Sequence, residues 1–141
     1  MKEPSAKPLR TLAVHERALR FSTAVHTSCP RYFTGKPSSV VWAQLVRASD
    51  TSSNSLIEAH AGSSDADFLS KMDIALREAK EARAALMKIR MGRLDNHATA
   101  ATLDLESEAS QLAAIYASII LNMKLRLEEE KRRADRQLKF S

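Results

Sequence analysis

The sequence predicts an all-α protein, an antiparallel up-down four-helix bundle whose last helix outlasts the others. Three observations carry that reading. Only three glycines and four prolines occur in 141 residues, and Ala, Leu, Glu, Lys and Arg dominate residues 65–139, a composition that favours long helices over sheet. Two segments repeat apolar residues with heptad spacing. The breakers that do occur cluster between the periodic segments, where turns belong.

Residues 1–10 hold two prolines and several charges and read as a lead-in to the bundle. The bundle itself spans 11–126. A first helix is expected from Thr11 to Ser28, with Val14, Ala18, Phe21 and Val25 making one stripe at 4-3-4 spacing. Pro30, Gly35 and Pro37 then break the chain. A second helix, Ser39 to Ala59, places Leu45, Ala48, Ser49, Ser52 and Leu56 on one side. Its centre is polar (DTSSNS), so packing rather than propensity has to hold it.

The third helix is the clearest. Ser64 is a candidate N-cap with Asp67 three residues on, a capping box with Asp in place of Glu. Phe68, Met72, Ala75, Ala79, Ala82, Leu86 and Ile89 follow at 4-3-4-3-4-3, and Gly92 is the expected C′ terminator. The fourth helix starts between Ala98 and Leu103, with a seam of Leu105, Ala109, Leu112, Tyr116, Ile119 and Met123. Running to about Leu138, it would be roughly 55 Å long, so residues 127–141 form a charged extension projecting past its partners.

Helix four also carries apolar residues away from that seam. Ala114, Ala117, Leu121 and Leu125 lie about 120–200° from it, so the helix is apolar nearly all round, the pattern of burial on both faces. Leu12 and Leu19 stand opposite the stripe of helix one. These six residues are the candidate subunit interface, against the plainer reading of scattered surface apolars.

The 22 basic and 17 acidic residues give a net charge of +5. This mild basicity selects no partner by itself, but it is local: residues 1–36 hold seven Lys/Arg against two Glu, and residues 65–94 seven against five. Arg10 and Arg17 on helix one, and Arg83 and Arg90 on helix three, flank the seams. Two readings stand: packing and ion pairs at the bundle edge, or a rim that holds phosphates once subunits multiply it. The extension has the same two readings. Glu128–Arg132 and Glu129–Arg133 are i,i+4 pairs of a solvated helix end, while Arg132, Arg133 and Arg136 can form a basic arm for RNA or DNA. With seven aromatics in all, stacking readout of single strands is disfavoured and any such binding is electrostatic.

Catalytic signatures are missing. There is no Walker or Rossmann glycine loop, no HExxH, CxxC or GxSxG, and no Glu-x-x-His of di-iron bundles. The chain is therefore read as non-enzymatic, with no cofactor and no metal. His15 and His26 lie eleven apart, about 20° from alignment on one helix, and read as surface histidines rather than a metal pair. Cys29, the lone cysteine, has no internal partner and reads as a bystander. Lys2, Glu3, Lys7 and Arg10 interrupt any secretory apolar run, and no stretch reaches the length of a membrane span, so a cytoplasmic protein without a membrane partner is expected.

The segments QLVRASDTSSNSLIEA at 44–59 and SSDADFLSKMDIALREAKEARAALM at 63–87 resemble the bacterial four-helix-bundle family encoded in 23S rRNA intervening sequences. That family shares its fold with the accessory variability determinant of diversity-generating retroelements. Gln44, Leu45, Arg47, Ala48, Glu58, Ser64, Asp67, Phe68, Ile74, Ala75, Leu76, Glu81 and Leu86 stand at matching places. The departures are Ser52-Ser53-Asn54-Ser55, which shifts the usual Asn by one, Ala59 in place of Gly, and Arg83 where a second Glu is common. The resemblance implies a homo-oligomer, with a pentameric ring favoured, and no catalysis. For the retroelement branch it implies binding to nucleic acid and to a reverse transcriptase. Arg47, Glu58 and Glu81 are the charged motif residues, and Arg47 and Glu58 are expected in a polar layer or an intersubunit ion pair. The alternative function is a structural or protein-interaction oligomer with no nucleic-acid role.

Overall fold

The computed structural model describes residues 6–30, 37–62, 64–96 and 98–140, with side chains from residue 13 onward. Four helices and no strands occur among them: α1 (Ala6–Ser28), α2 (Ser38–Ala61), α3 (Asp65–Met91) and α4 (Thr99–Phe140). α1 starts at Ala6 rather than Thr11. Pro8 falls in its first turn, where a missing N–H breaks no helical hydrogen bond, so the proline does not delay the helix.

Paired residues fix the topology. His15 meets His60 and His26 meets Asp50, so α1 and α2 run antiparallel. Arg47 meets Glu81 and Glu58 meets Lys71, which sets α2 against α3 in the same way. Arg90 meets Glu106 near one end and Asp65 meets Arg126 near the other, so α3 and α4 are antiparallel too. Arg17 on Glu108 closes the square between α1 and α4.

The core contains the expected stripes. Ala18, Phe21 and Val25 of α1, Leu45, Ala48 and Leu56 of α2, and Met72, Ala75, Ala79, Ala82, Leu86 and Ile89 of α3 are all buried. The α4 seam departs once: after Tyr116 the buried residue is Ile120, not Ile119. A strict 3.5-residue repeat slips about 20° per heptad on a straight helix, and four turns of slip move the seam by one position.

The polar centre of α2 is buried and satisfied. The Ser52 hydroxyl donates to the Ala75 carbonyl of α3 (2.7 Å), and Ser49 and Ser53 donate to Val46 and Asp50 one turn back in their own helix. Each hydroxyl thus spends its proton on a backbone acceptor, which removes the penalty of burying it.

Helix ends are set by specific groups. Ser64 accepts the Asp67 N–H (3.1 Å), the expected α3 cap. At Gly62 an added Cβ would lie 2.4 Å from the Asp67 carboxylate, so the turn into α3 has no room for a side chain there. At the other end the expectation for Gly92 needs correcting. Gly92 is right-handed (φ −84°), and the left-handed residue is Arg93 (φ 54°). Arg93 N–H bonds Arg90 O and Leu94 N–H bonds Ile89 O, the two hydrogen bonds of a Schellman motif with Arg93 at C′. Gly92 is required by crowding instead, since a Cβ there would lie 3.1 Å from Lys88 O and 3.2 Å from Leu94 Cγ. Leu94 in turn packs on the core, and its carbonyl accepts the indole N–H of buried Trp42 (3.0 Å), tying the start of α2 to the α3–α4 turn.

Candidate functional site

The basic residues singled out by sequence divide into three groups. Arg17 donates from Nε and Nη2 to the Glu108 carboxylate and also to Gln111 Oε1 (2.6 Å). Arg90 forks onto Glu106 through Nε (2.7 Å) and Nη2 (3.1 Å). Those hydrogen bonds hold the Glu106 carboxyl below its usual range, with the Arg83 charge adding a smaller pull. Both arginines are therefore engaged by α4 carboxylates, the edge-pairing reading rather than the phosphate rim. Arg83 is exposed. The Arg10 side chain lies outside the described residues, as does that of Leu12.

The third group sits on the α4 extension. Arg133 reaches Glu129 at 3.5 Å, the expected i,i+4 pair. Arg132 also turns to Glu129 (3.9 Å) rather than to Glu128. Such exposed pairs contribute little and leave the cations accessible to solvent. Arg132, Arg136 and Lys139 follow at 4-3 spacing on one exposed side of the helix.

The candidate interface residues stand on the surface of the single chain. Leu19 is 45% exposed, Leu121 56% and Leu125 50%, and Ala114 and Ala117 are exposed between them and the bundle. Sequence reasoning missed Leu103, 47% exposed on this same side of α4. Its signal was available, because Leu103 lies at the angle of Leu121 when residues are spaced by about 100°.

The motif residues pair inside the chain. Arg47 Nη2 meets Glu81 at 3.0 Å and its Nη1 lies 3.6 Å from Glu78; Glu58 meets Lys71 at 3.4 Å. All three bridges join α2 to α3 at the edge of their contact, so the pairs lie within one subunit rather than between two. Burial, then the neighbouring Glu81, pushes the Glu78 carboxyl above its ordinary value.

The histidines occupy the α1–α2 contact. His15 Nε2 and His60 Nδ1 are 3.0 Å apart, and His60 Nδ1 also reaches Leu56 O at 3.0 Å. Burial, then His60, lowers the His15 pKa, which keeps this pair neutral near pH 7. His26 instead lies on Asp50, which also accepts the Ser22 hydroxyl. That order, with the carboxylate between serine and histidine, leaves Ser22 without the adjacent base a nucleophile needs. Burial raises the Cys29 thiol above its ordinary pKa, away from reactivity. Among the described residues no group of three His, Cys, Asp or Glu converges on one point.

Two hollows remain. One is lined by Arg90, Arg93, Asp95, Thr99 and Leu103 at the α3–α4 turn, where the buried Asp95 carboxylate accepts the Thr102 hydroxyl. The other is a groove between α1 and α4, floored by Phe21, Ala24 and Leu105 and edged by Arg17, Arg20, Asp104 and Glu108. Among the described residues no helix is long and apolar enough to cross a membrane.

No protein-family model and no curated protein matches the chain. Among solved structures it is similar to a protein of unknown function from the S23 ribosomal protein family of Bacteroides thetaiotaomicron. The two share 21% identity and superpose with a TM-score of 0.63, over 76% of this chain and 97% of that one. Likeness at this identity establishes the fold, which agrees with the bundle read from the sequence.

Proposed function

We propose that the chain is a non-enzymatic helical bundle that self-associates through the outer face of α4 and binds a nucleic-acid backbone electrostatically. The observation that carries this reading is the apolar face of Leu103, Ala114, Ala117, Leu121 and Leu125, left on the surface of one chain although a neighbouring stripe of the same helix is buried. Contiguous apolar surface of this kind marks an interaction site. A second copy is the simplest occupant, and the family resemblance favours a pentameric ring. Assembly would multiply the exposed Arg83 and the Arg132–Arg136–Lys139 stripe into a stronger positive field than one subunit at +5 provides. Adaptor service to a reverse transcriptase, implied for one branch of the resemblance, is a narrower form of this role.

The second reading is a structural oligomer with no nucleic-acid partner. It is favoured by Arg17 and Arg90, whose guanidinium groups are held by Glu108 and Glu106. Two measurements separate the readings. Light scattering should give a multiple of the chain mass, reduced by Leu121→Glu with Leu125→Glu. Fluorescence anisotropy with a labelled RNA or DNA should show binding that weakens steeply with salt and is lost on reversing Arg132, Arg136 and Lys139. An oligomer that binds neither at low salt leaves the structural reading, and a monomer sinks both.

A further inference from the structure

The core seam of α4 continues where the bundle stops. Ile120 is buried, and the contact of Arg126 with Asp65 (3.7 Å) marks the level at which α3 begins. Beyond it the same stripe carries Met123, Leu127, Ala134 and Leu138, all within an arc of about 60°. Met123 and Leu127 are half-buried by the bundle end, Ala134 is exposed and Leu138 is 76% exposed. A helix end that merely met water would have no such stripe. Apolar residues that keep the seam's direction past the last neighbour have the pattern of a coiled-coil strand.

We propose that this stripe pairs with the same stripe of a second copy, antiparallel, about a two-fold axis between Glu130 and Lys131. The spacing is symmetric about that point. Met123 and Leu138 lie equally far from it, as do Leu127 and Ala134, so in an antiparallel pair each apolar residue meets an apolar residue. The charge is antisymmetric about the same point. Residues 128–130 are all Glu and residues 131–133 are all Lys or Arg. Antiparallel pairing lays the acidic run of one helix beside the basic run of the other, whereas parallel pairing stacks like on like.

The flanking positions agree in detail. On one edge of the stripe Glu128 falls beside Lys131 of the second copy and Lys124 beside its Asp135. On the other edge Glu130 falls beside its Arg133. Each contact occurs twice by symmetry, as an isologous interface requires. Arg132, Arg136 and Lys139 point away from the pair and stay available to phosphates. The stripe is a different face from the one that carries Leu121 and Leu125, so this pairing does not rest on the ring. At about 24 Å long it is a small contact, suited to joining assemblies that already hold several copies close together.

Cysteine cross-linking of the full chain tests it, in a Cys29→Ser background under mild oxidation. Near the axis, Lys131→Cys lies beside its own copy and should form a disulfide dimer. Two copies of Leu138→Cys lie about 22 Å apart along the axis and should not link to each other. Leu138→Cys should instead link to Met123→Cys when the two proteins are mixed. Lys131→Cys is expected to link at least about tenfold faster than Leu138→Cys, reflecting the local concentration at the axis. Adding Ala134→Glu, an exposed site that leaves the bundle intact, should remove that advantage. Leu121→Glu should leave it unchanged even where it dissociates a ring. The proposal is overturned if Leu138→Cys links as fast as Lys131→Cys, or if Lys131→Cys links no faster than an outward-facing Arg136→Cys.

Discussion

The α2–α3 contact and the α1–α4 contact close the same bundle in different ways. α2 and α3 meet through small residues buried on both sides: Ala48, Ser52 and Ala59 against Ala75, Ala79 and Ala82. Without large side chains between them the backbones approach closely, and the Ser52 hydroxyl reaches a carbonyl of the other helix. α1 and α4 leave a groove instead, with Phe21, Ala24 and Leu105 at its base and charged residues along its rims. Arg17 spans it to Glu108 and Gln111. Packing holds the first contact and bridging holds the second, so the two should respond oppositely to added volume.

The largest expected effect follows from that contrast. Ala79 is 1% exposed, and Ala79→Leu would push four-carbon bulk between helices that have no space for it, costing about 1–3 kcal/mol. Ala24→Leu would instead extend into the groove and should be neutral or stabilise by up to about 1 kcal/mol. Urea denaturation of both variants measures this. Equal losses would mean that the groove is closed in solution and the contrast false.

How far these features were legible depends on what each one needs. The seam of α3 is a property of one helix, and seven residues at heptad spacing reveal it without reference to a partner. The Ser-rich stripe of α2 was legible as a face, but its stability depends on where Ala75 O lies, which only the register of α3 determines. The same holds for the arginines. Angular position showed that Arg17, Arg47 and Arg90 flank the seams, while the carboxylates they reach lie 91, 34 and 16 residues away in sequence. Gly92 misled because glycine is the usual left-handed residue at a helix end, yet here crowding by Leu94 uses the glycine and Arg93 takes the positive φ. Trp42 gave no periodic signal at all, since its role is one hydrogen bond to a turn.

Tyr116 sits where the two halves of the comparison meet, an α4 side chain buried beside α2. Its hydroxyl makes no hydrogen bond of normal geometry, because the adjacent Ser52 gives its proton to Ala75 O. Tyr116→Phe removes an unpaired buried polar group and should stabilise by about 1 kcal/mol. Burial pushes the phenol up to about 12, with Ser52 pulling weakly the other way. An unfolded tyrosine ionises near pH 10, so above that pH the unfolded chain releases a proton that the folded chain keeps. Stability should therefore fall between pH 10 and 12, by about 2 kcal/mol from this group. Stability measured against pH for wild type and Tyr116→Phe should diverge over that window and run parallel below it. Parallel curves throughout would show that the phenol titrates normally.

The turn that delivers α4 to its groove offers a smaller gain. Arg93 holds φ at 54°, a conformation that costs an L-residue about 1 kcal/mol and glycine almost nothing. Arg93→Gly keeps both Schellman hydrogen bonds, since they are made by the backbone. It should raise stability by about 0.5 kcal/mol after the added freedom of the unfolded chain is subtracted. A loss instead would mean that the Arg93 side chain stabilises the turn by more than its backbone strain costs.

The smallest effect separates bridging from packing most directly. Arg47 spans the tight contact, with its side chain 54% exposed and one hydrogen bond to Glu81. Arg17 spans the open one, 39% exposed, with a fork on Glu108 and a further bond to Gln111. Exposed single bridges contribute about 0–0.5 kcal/mol, whereas a forked, partly shielded arginine contributes somewhat more. Arg47→Ala should therefore leave the denaturation midpoint nearly unchanged, because the small residues beneath it keep α2 on α3. Arg17→Ala should cost about 0.5 kcal/mol more than Arg47→Ala, because no close-packed surface lies beneath it to take over. The difference should shrink as salt rises, since only the screened charge pairs distinguish the two variants. If Arg47→Ala proves the costlier change, the motif pair Arg47–Glu81 holds α2 in place, and the role assigned to the buried serines and alanines passes to it.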